Sequence, residues 1–246
     1  EYFVLVIGLA GLLLVSTRAG AESWKVAVES GPVASGYNVV RIPGAGGTQI
    51  SLDQGLAVDP GIFYRVRVWW LAGERHHLGL LAAPLSLTAE GETPAEVRFA
   101  DEIFPAGTAL KALYRFDSYR LTYRYRFLAS PHWRGYAGFT AKIRDAEIRL
   151  EGGGLEARKT NVGFVPLLHA RLEWLFSRPW SLVLDLDALA APQGRAEDVL
   201  LAVAYRADDT WTLKTGYRMV EGGADNDEVF NFALIHYGVI GVTATF

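Results

Sequence analysis

Cysteine is absent from the 246 residues. That excludes disulfide cross-links and thiolate metal sites, and it suits an oxidising compartment where a stray thiol is a liability. An excess of one charge is missing as well: the net charge of −3 gives no argument for a nucleic-acid partner, and none is expected. No apolar run reaches the roughly 20 residues that a membrane-spanning helix needs. No Gly-rich phosphate loop, Cys/His zinc spacing or nucleophile elbow occurs, so no cofactor and no dedicated metal site is expected. Low-complexity segments and internal repeats are lacking too.

What is present begins with an apolar run, Tyr2–Val15, followed by Ser16-Thr17-Arg18 and the A-x-A pattern Ala19-Gly20-Ala21. This is the hydrophobic region and cleavage site of a secretory signal peptide. A charged segment is missing ahead of it and residue 1 is Glu, so the sequence is expected to begin inside the leader. Residues 1–21 are assigned to the signal peptide and residues 22–246 to one β-domain.

Tyr119–Arg144 sets the class of that domain. Tyr119, Leu121, Tyr123, Tyr125 and Phe127 share one face of the first arm, and Arg120, Thr122, Arg124 and Arg126 share the other. After a turn at Ala129–Trp133, Ala137, Phe139, Ala141 and Ile143 oppose Gly138, Thr140, Lys142 and Arg144. Strict alternation is the strand period. Apolar, aromatic-rich faces opposed to cationic ones describe a barrel with lipid outside and a polar lumen inside. The rhythm continues along the chain and predicts about ten antiparallel strands, an even number as such barrels require. Short turns are expected at Ala72–His76, Ala129–Trp133, Ser177–Pro179 and Ala207–Asp209. Long loops are expected at 31–59, 90–109, 152–161, 191–197 and 222–228. Pro84 interrupts the third strand, where it removes a ladder donor.

The seven tryptophans, Trp24, Trp69, Trp70, Trp133, Trp174, Trp180 and Trp211, lie near the start of the first strand or beside short turns. That clustering predicts an interfacial girdle, where an apolar ring with one polar N–H is favoured. The last strand ends on Phe246, with Ala244, Val242 and Ile240 on its face. It resembles the C-terminal assembly signal of bacterial outer-membrane β-barrel proteins. Segments 37–43 and 191–199 also resemble parts of such barrels, but lend no chemistry. The resemblance implies an outer-membrane location, outer-membrane lipid and the barrel-assembly machinery as partners, and a monomeric closed barrel.

With the polar face inward, the lumen is expected to receive Glu29, Arg65, Arg67, Arg120, Arg124, Arg126, Lys142, Arg144, His169, Arg171, Glu173, Asp185, Asp187, Arg206, Lys214 and Arg218. The turn at Ser177–Pro179 implies a register with Phe176 facing Trp180. That register places Arg171 opposite Asp185 and His169 opposite Asp187, where opposite charges attract. Arg120 falls beside Lys142, which calls for anions from across the barrel. Such a lumen is expected to be filled by crossing ion pairs, with an anion-preferring channel as the alternative.

Outer-membrane enzymes include omptin-like proteases, phospholipases and lipid A-modifying enzymes. The best catalytic candidate is the His169–Asp187 pair, in which a carboxylate orients an imidazole. Ser118 or Thr140 could supply a hydroxyl. His76, His77 and His132 are read as interfacial or solvated, and His236 as part of a girdle. Asp225, Asp227 and Glu228 offer oxygen ligands without the full pattern of a calcium loop. The expectation is an outer-membrane barrel with a structural or binding role. A lipid- or peptide-directed hydrolase is the alternative. A soluble barrel would leave a broad apolar band exposed.

Overall fold

A computed structural model describes residues 22–53, 56–58, 61–192 and 194–246. The expected leader lies outside the described residues. The wall runs β1 (Glu22–Arg41), β4 (Gly61–Ala72), β5 (His76–Ala83) continued by β6 (Ser86–Glu92), then β9 (Ala109–Ala129) and β10 (Trp133–Gly152). It continues through β11 (Leu155–Ser177), β12 (Trp180–Ala191), β13 (Gly194–Arg206), β14 (Trp211–Asp225) and β15 (Phe230–Thr245). Each strand pairs antiparallel with its neighbour, and β15 returns to β1, giving the ten-stranded closed barrel read from the sequence. Closure removes the sheet edges whose backbone groups lipid cannot satisfy.

Pro84 and Leu85 separate β5 from β6 without a change of register: Ala83 faces Ser118 and Ser86 faces Arg115. The Leu85 N–H turns to Asp117 Oδ1 at 3.2 Å, which keeps that donor satisfied around the proline.

The four short turns all fall at one end, which also carries both strand termini: Phe246 N–H donates to the Trp24 carbonyl at 2.8 Å. The outward face is apolar. Tyr123, Phe139, Leu184 and Leu213 are 41, 66, 42 and 50% exposed, whereas Arg124 and Asp185 are 6 and 5% exposed. Trp24 stacks on Trp70 and Trp133 on Trp174, because the register places each pair side by side. With Trp180 and Trp211 they ring the short-turn end. At the other end Tyr64, Tyr119 and Tyr217 lie on the outer face, and His236 stacks on Tyr217. An apolar belt between two aromatic rings is the outer surface of a transmembrane barrel.

Trp69 departs from the expected girdle. It is 6% exposed and points into the lumen, where the Arg124 guanidinium lies 3.7 Å from its ring centre. Adjacent strand residues face opposite sides, so Trp69 and Trp70 cannot both face lipid. Gly79, paired with Trp69, leaves the room: a Cβ there would sit 2.6 Å from the indole.

The long-side connections also differ from expectation. Residues 152–161 form a tight turn at Gly153 and Gly154, both with positive φ, and the flanking strands stay paired from Leu155 down. The connections after β12 and β14 are short as well, and β1 runs on to Arg41. Sequence length predicted as loop is thus extra wall. Glycines at 152–154 turn the chain, but the residues beyond them keep strand alternation. Two true excursions remain: 42–60, which carries β2 (Ile50–Ser51) and β3 (Ala57–Val58), and 93–108, which carries the hairpin β7 (Val97–Phe99) and β8 (Glu102–Phe104). Backbone bonds from Thr48 to Arg98 and from Ala100 to Ile42 hold the two together. Their Ile42, Leu52, Phe99 and Phe104 pack on inward Leu110, Ile148, Leu150 and Ile235. This apolar core occupies part of the outer half of the interior.

One seam of the wall is incomplete. β10 and β11 pair along their full length, but β11 and β12 pair only from Leu168↔Ala188 to Ser177↔Trp180. Pro166, which has no N–H to donate, lies two residues past the last pair.

Phe139 lies on the lipid face six positions beyond the Trp133 ring. Phe139→Arg is expected to destabilise the barrel by about 2–4 kcal/mol, against a much smaller loss for Phe139→Leu. Equilibrium urea unfolding in lipid vesicles measures both.

Candidate functional site

Most inward charges between the girdles are ion-paired, in a larger group around Asp198 and a smaller one around Asp185. Asp198 is the centre of the larger group. It accepts from Arg65 Nη2 at 2.9 Å, from Arg120 Nη2 at 2.8 Å and from Arg218 Nη1. Arg120 reaches on to Asp187 Oδ2 at 2.7 Å, and Arg218 to Glu29 Oε2 at 3.0 Å. Lys214 Nζ donates to Glu29 Oε1 at 2.5 Å, and Arg171 to Asp185 Oδ2 at 3.0 Å. Arg67 lies 3.8 Å from Asp185. These side chains come from β1, β4, β9, β11, β12, β13 and β14; Arg171–Asp185 and Arg218–Asp198 join neighbouring strands, and Arg65 and Arg120 reach across the lumen to Asp198. Buried carboxylates and guanidiniums persist only when paired and hydrogen-bonded, and each carboxylate here has several donors.

The register brings His169 opposite Asp187 and Arg171 opposite Asp185. The strands slip only at the turn, where Ser177, not Phe176, faces Trp180. His169 Nδ1 lies 2.8 Å from Asp187 Oδ1, and both side chains are buried. Thr140 Oγ1 donates to the same carboxylate oxygen at 2.8 Å, and Ser118 Oγ accepts from Arg120 Nε at 3.0 Å. Neither hydroxyl lies at His169 Nε2, which has no hydrogen-bond partner among the described residues. Among the described residues the buried dyad therefore has its orienting carboxylate, with Nε2 unpartnered. In this geometry it ties β11 and β12 to the network.

Other inward positions divide by depth. Arg124 has no carboxylate at bonding distance among the described residues. Its charge is held between the rings of Trp69 and Tyr136, and Nε donates to His77 Nδ1 at 3.4 Å. His77 is thus a buried lumen residue, not a solvated turn histidine, because it shares its face with Gly79 and Leu81. Glu173 accepts from Ser181 at 3.2 Å near the short-turn end, and Arg126 reaches Glu74 there at 3.1 Å. Arg206, expected inside, is exposed where its strand ends. Arg144 lies higher and donates to Asn161. Asp225, Asp227 and Glu228 lie at the β14–β15 turn, with Glu228 3.3 Å from Lys159. Among the described residues no three His, Asp or Glu side chains converge on a metal position.

Lys142, like Arg124, stands outside the ion pairing. It is 3% exposed, has no ion pair among the described residues, and rests its Nζ 4.8 Å from the Phe116 ring centre. It borders a cavity of about 380 Å³ behind the incomplete β11–β12 seam.

Sequence reasoning missed Asp198 and this cavity. On β13 both faces are apolar, Leu200, Ala202 and Ala204 inward and Val199, Leu201 and Val203 outward, so parity gave no direction for Asp198. The cavity joins strands far apart in the chain, which alternation does not reveal.

The belt, the closed sheet and the charged interior together define a bacterial outer-membrane β-barrel. The comparisons agree on that class and go no further. No protein-family model matches the chain, and no curated protein matches it. Among solved structures it is similar to the outer-membrane protease OmpT from Escherichia coli, at 9% identity and a TM-score of 0.57, over 94% of this chain and all of that one. It is also similar to Ail, the attachment invasion locus protein of Yersinia pestis, solved with the heparin analogue sucrose octasulfate. There the identity is 8% and the TM-score 0.40, over 91% of this chain and 99% of that one. At 9% identity the likeness to OmpT establishes the fold alone.

Removing Asp198 takes one carboxylate partner from each of three buried guanidiniums. Asp198→Ala is expected to cost about 3–5 kcal/mol, read as a lower urea midpoint for loss of the compact gel band. Near the far end of β14, beyond Tyr217, Glu221 accepts two bonds from Arg195, both 2.8 Å, and one from the Tyr37 hydroxyl. Burial raises its pKa, but the Arg195 and Tyr37 bonds outweigh this and hold the carboxyl below its usual range. A depressed folded-state pKa stabilises above the unfolded value of about 4.3, and that contribution is lost as pH falls through the lower folded value. Thermal unfolding from pH 6 to pH 3 should therefore lose less in Glu221→Gln than in the parent.

Proposed function

We propose that this barrel is a closed, monomeric binding protein of the outer membrane, not a channel. The observation that carries the reading is Arg120, whose guanidinium spans the lumen between Asp187 and Asp198. Above it stands the apolar core of Ile42, Phe99 and Phe104. A solute crossing the barrel would have to separate buried ion pairs and then displace packed aromatic rings. Both barriers are many times thermal energy. The open volume near the outer side instead ends blindly against the network, which suits capture over passage.

Assembly is the second part of the reading. Phe246 is exposed at the outer face beside Trp24 and ends a strand with the alternation of Ile240, Val242 and Ala244. We assign it the role of the signal read by the barrel-assembly machinery. Deleting Phe246 is expected to lower the amount of folded barrel in outer membranes several-fold while leaving refolding into detergent unchanged.

Planar-bilayer recording tests the closed lumen. The expected record is silent, with no steps above the bare membrane. Sustained steps carried mainly by anions would reject the reading in favour of an anion channel.

A further inference from the structure

The cavity behind the β11–β12 seam has features that a merely imperfect wall would not need. Its rim is apolar and lies at the outer end of the lipid belt. Val162 and Phe164, the outward residues of β11 there, are 70 and 68% exposed. Phe164 and Pro166 on one side face Leu189 and Ala191 on the other, with no ladder between them. Its deeper wall is formed by Leu85, Tyr114, Phe116, Ile235 and Tyr237. The volume, about 380 Å³, is at the lower end of the range for small-molecule sites, about 300–1,000 Å³. A gap through a barrel wall at this height opens sideways into the outer leaflet, not upward into water.

The inner end carries charge. Lys142 lines the cavity, is buried, and lacks a carboxylate, whereas its paired neighbour Arg120 is fully engaged by Asp187 and Asp198. A buried ammonium held only by one ring face is poorly compensated. Arg144, one turn of the alternation higher, also borders the cavity, and its Nε is buried without a partner. Among the described residues the one carboxylate on the lining, Glu221, is already bonded by Arg195 and Tyr37. The field at the inner end is therefore positive and the approach to it is apolar.

We infer that this cleft binds a single-chain anionic amphiphile taken laterally from the outer leaflet, with its head group at Lys142 and its chain along the Phe164–Leu189 seam. The inference rests on the closed-barrel reading and names its ligand class. One chain fits where two would not, because the seam is narrow and the volume small. The head group supplies the charge that the network does not give Lys142, and Arg144 offers a second donor. A carboxylate from a free fatty acid and the phosphate of a lysophospholipid share this chemistry.

Purified full-length protein in dodecyl maltoside, loaded with 11-(dansylamino)undecanoate, gives a fluorescence displacement assay. Tetradecanoate is expected to displace the probe, and tetradecanol to do so at least about tenfold less well, the cost of a lost charge-assisted hydrogen bond. Lys142→Gln should weaken tetradecanoate by about the same factor and Lys142→Arg should largely restore it. Ala191→Trp, at the rim, should weaken acid and alcohol together. If Lys142→Gln does not fold, the acid–alcohol comparison on the parent protein decides. Displacement by 1-myristoyl-lysophosphatidylglycerol as strong as by tetradecanoate makes the source a phospholipid, and displacement by tetradecanoate alone makes it a free acid. No displacement by either, equal displacement by tetradecanol, or an unchanged Lys142→Gln overturns the inference. Silent bilayers with no displacement reject this ligand class alone. Conducting bilayers reject the closed barrel whatever binds.

Discussion

The Asp198 carboxylate is the point on which the interior of this barrel depends. Three arginines from β4, β9 and β14 converge on it, and through Arg120 and Arg218 it is linked to Asp187 and Glu29. A barrel of this size must fill its lumen with side chains or leave it wet. Here alternation sends cations inward from many strands, so filling becomes a problem of charge balance as much as volume. Carboxylates from β1, β12 and β13 balance most of the guanidiniums. Trp69 and Tyr136 shield Arg124 where no carboxylate reaches it. Such a network adds less to stability than it does to uniqueness of pairing, since any slip of one strand would break several bonds at once.

The same balance explains why the barrel changes character along its axis. Between the aromatic rings the wall faces lipid and the interior is ionic. Beyond the Tyr64–Tyr119 level the outer face turns polar: Arg115 meets Asp117, Asp145 and Glu147 on the outside of β9 and β10. The interior there becomes apolar, as Val40, Phe99, Phe104 and Leu150 close into a core of the ordinary soluble kind. The inversion follows the solvent. Water replaces lipid outside, so apolar residues move in, and the two excursions from the wall supply the missing packing. The β11–β12 seam lies where these regimes meet, at the outer margin of the belt, with the cavity behind it.

Much of this was legible in the residues themselves. Alternation in Tyr119–Arg144 gave the faces, the four turns gave the strand order, and a single turn fixed Arg171 against Asp185 and His169 against Asp187. The pairing of Arg120 with Lys142 calls for anions from across the lumen; Arg120 meets two, and Lys142 none among the described residues. What stayed hidden has definite causes. Trp69 was grouped with its neighbour Trp70 by position, although its parity with Arg65 and Arg67 placed it inside. The wall extensions looked like loops because Gly153 and Gly154 are turn residues amid strand-forming ones. Asp198 gave no parity signal between two apolar faces. The outer core and the Lys142 cavity depend on contacts between distant segments, which periodicity cannot encode.

A single-cysteine scan of β13 over residues 199–204 addresses the central claim most directly, since the chain has no native cysteine to interfere. Each variant, refolded into lipid vesicles, is treated with a lipid-soluble maleimide and with a charged, water-soluble methanethiosulfonate. Positions 199, 201 and 203 are expected to react only with the lipid-soluble reagent, and positions 200 and 202 with neither. Rapid labelling of 200 and 202 by the water-soluble reagent would show an open aqueous lumen and contradict the account.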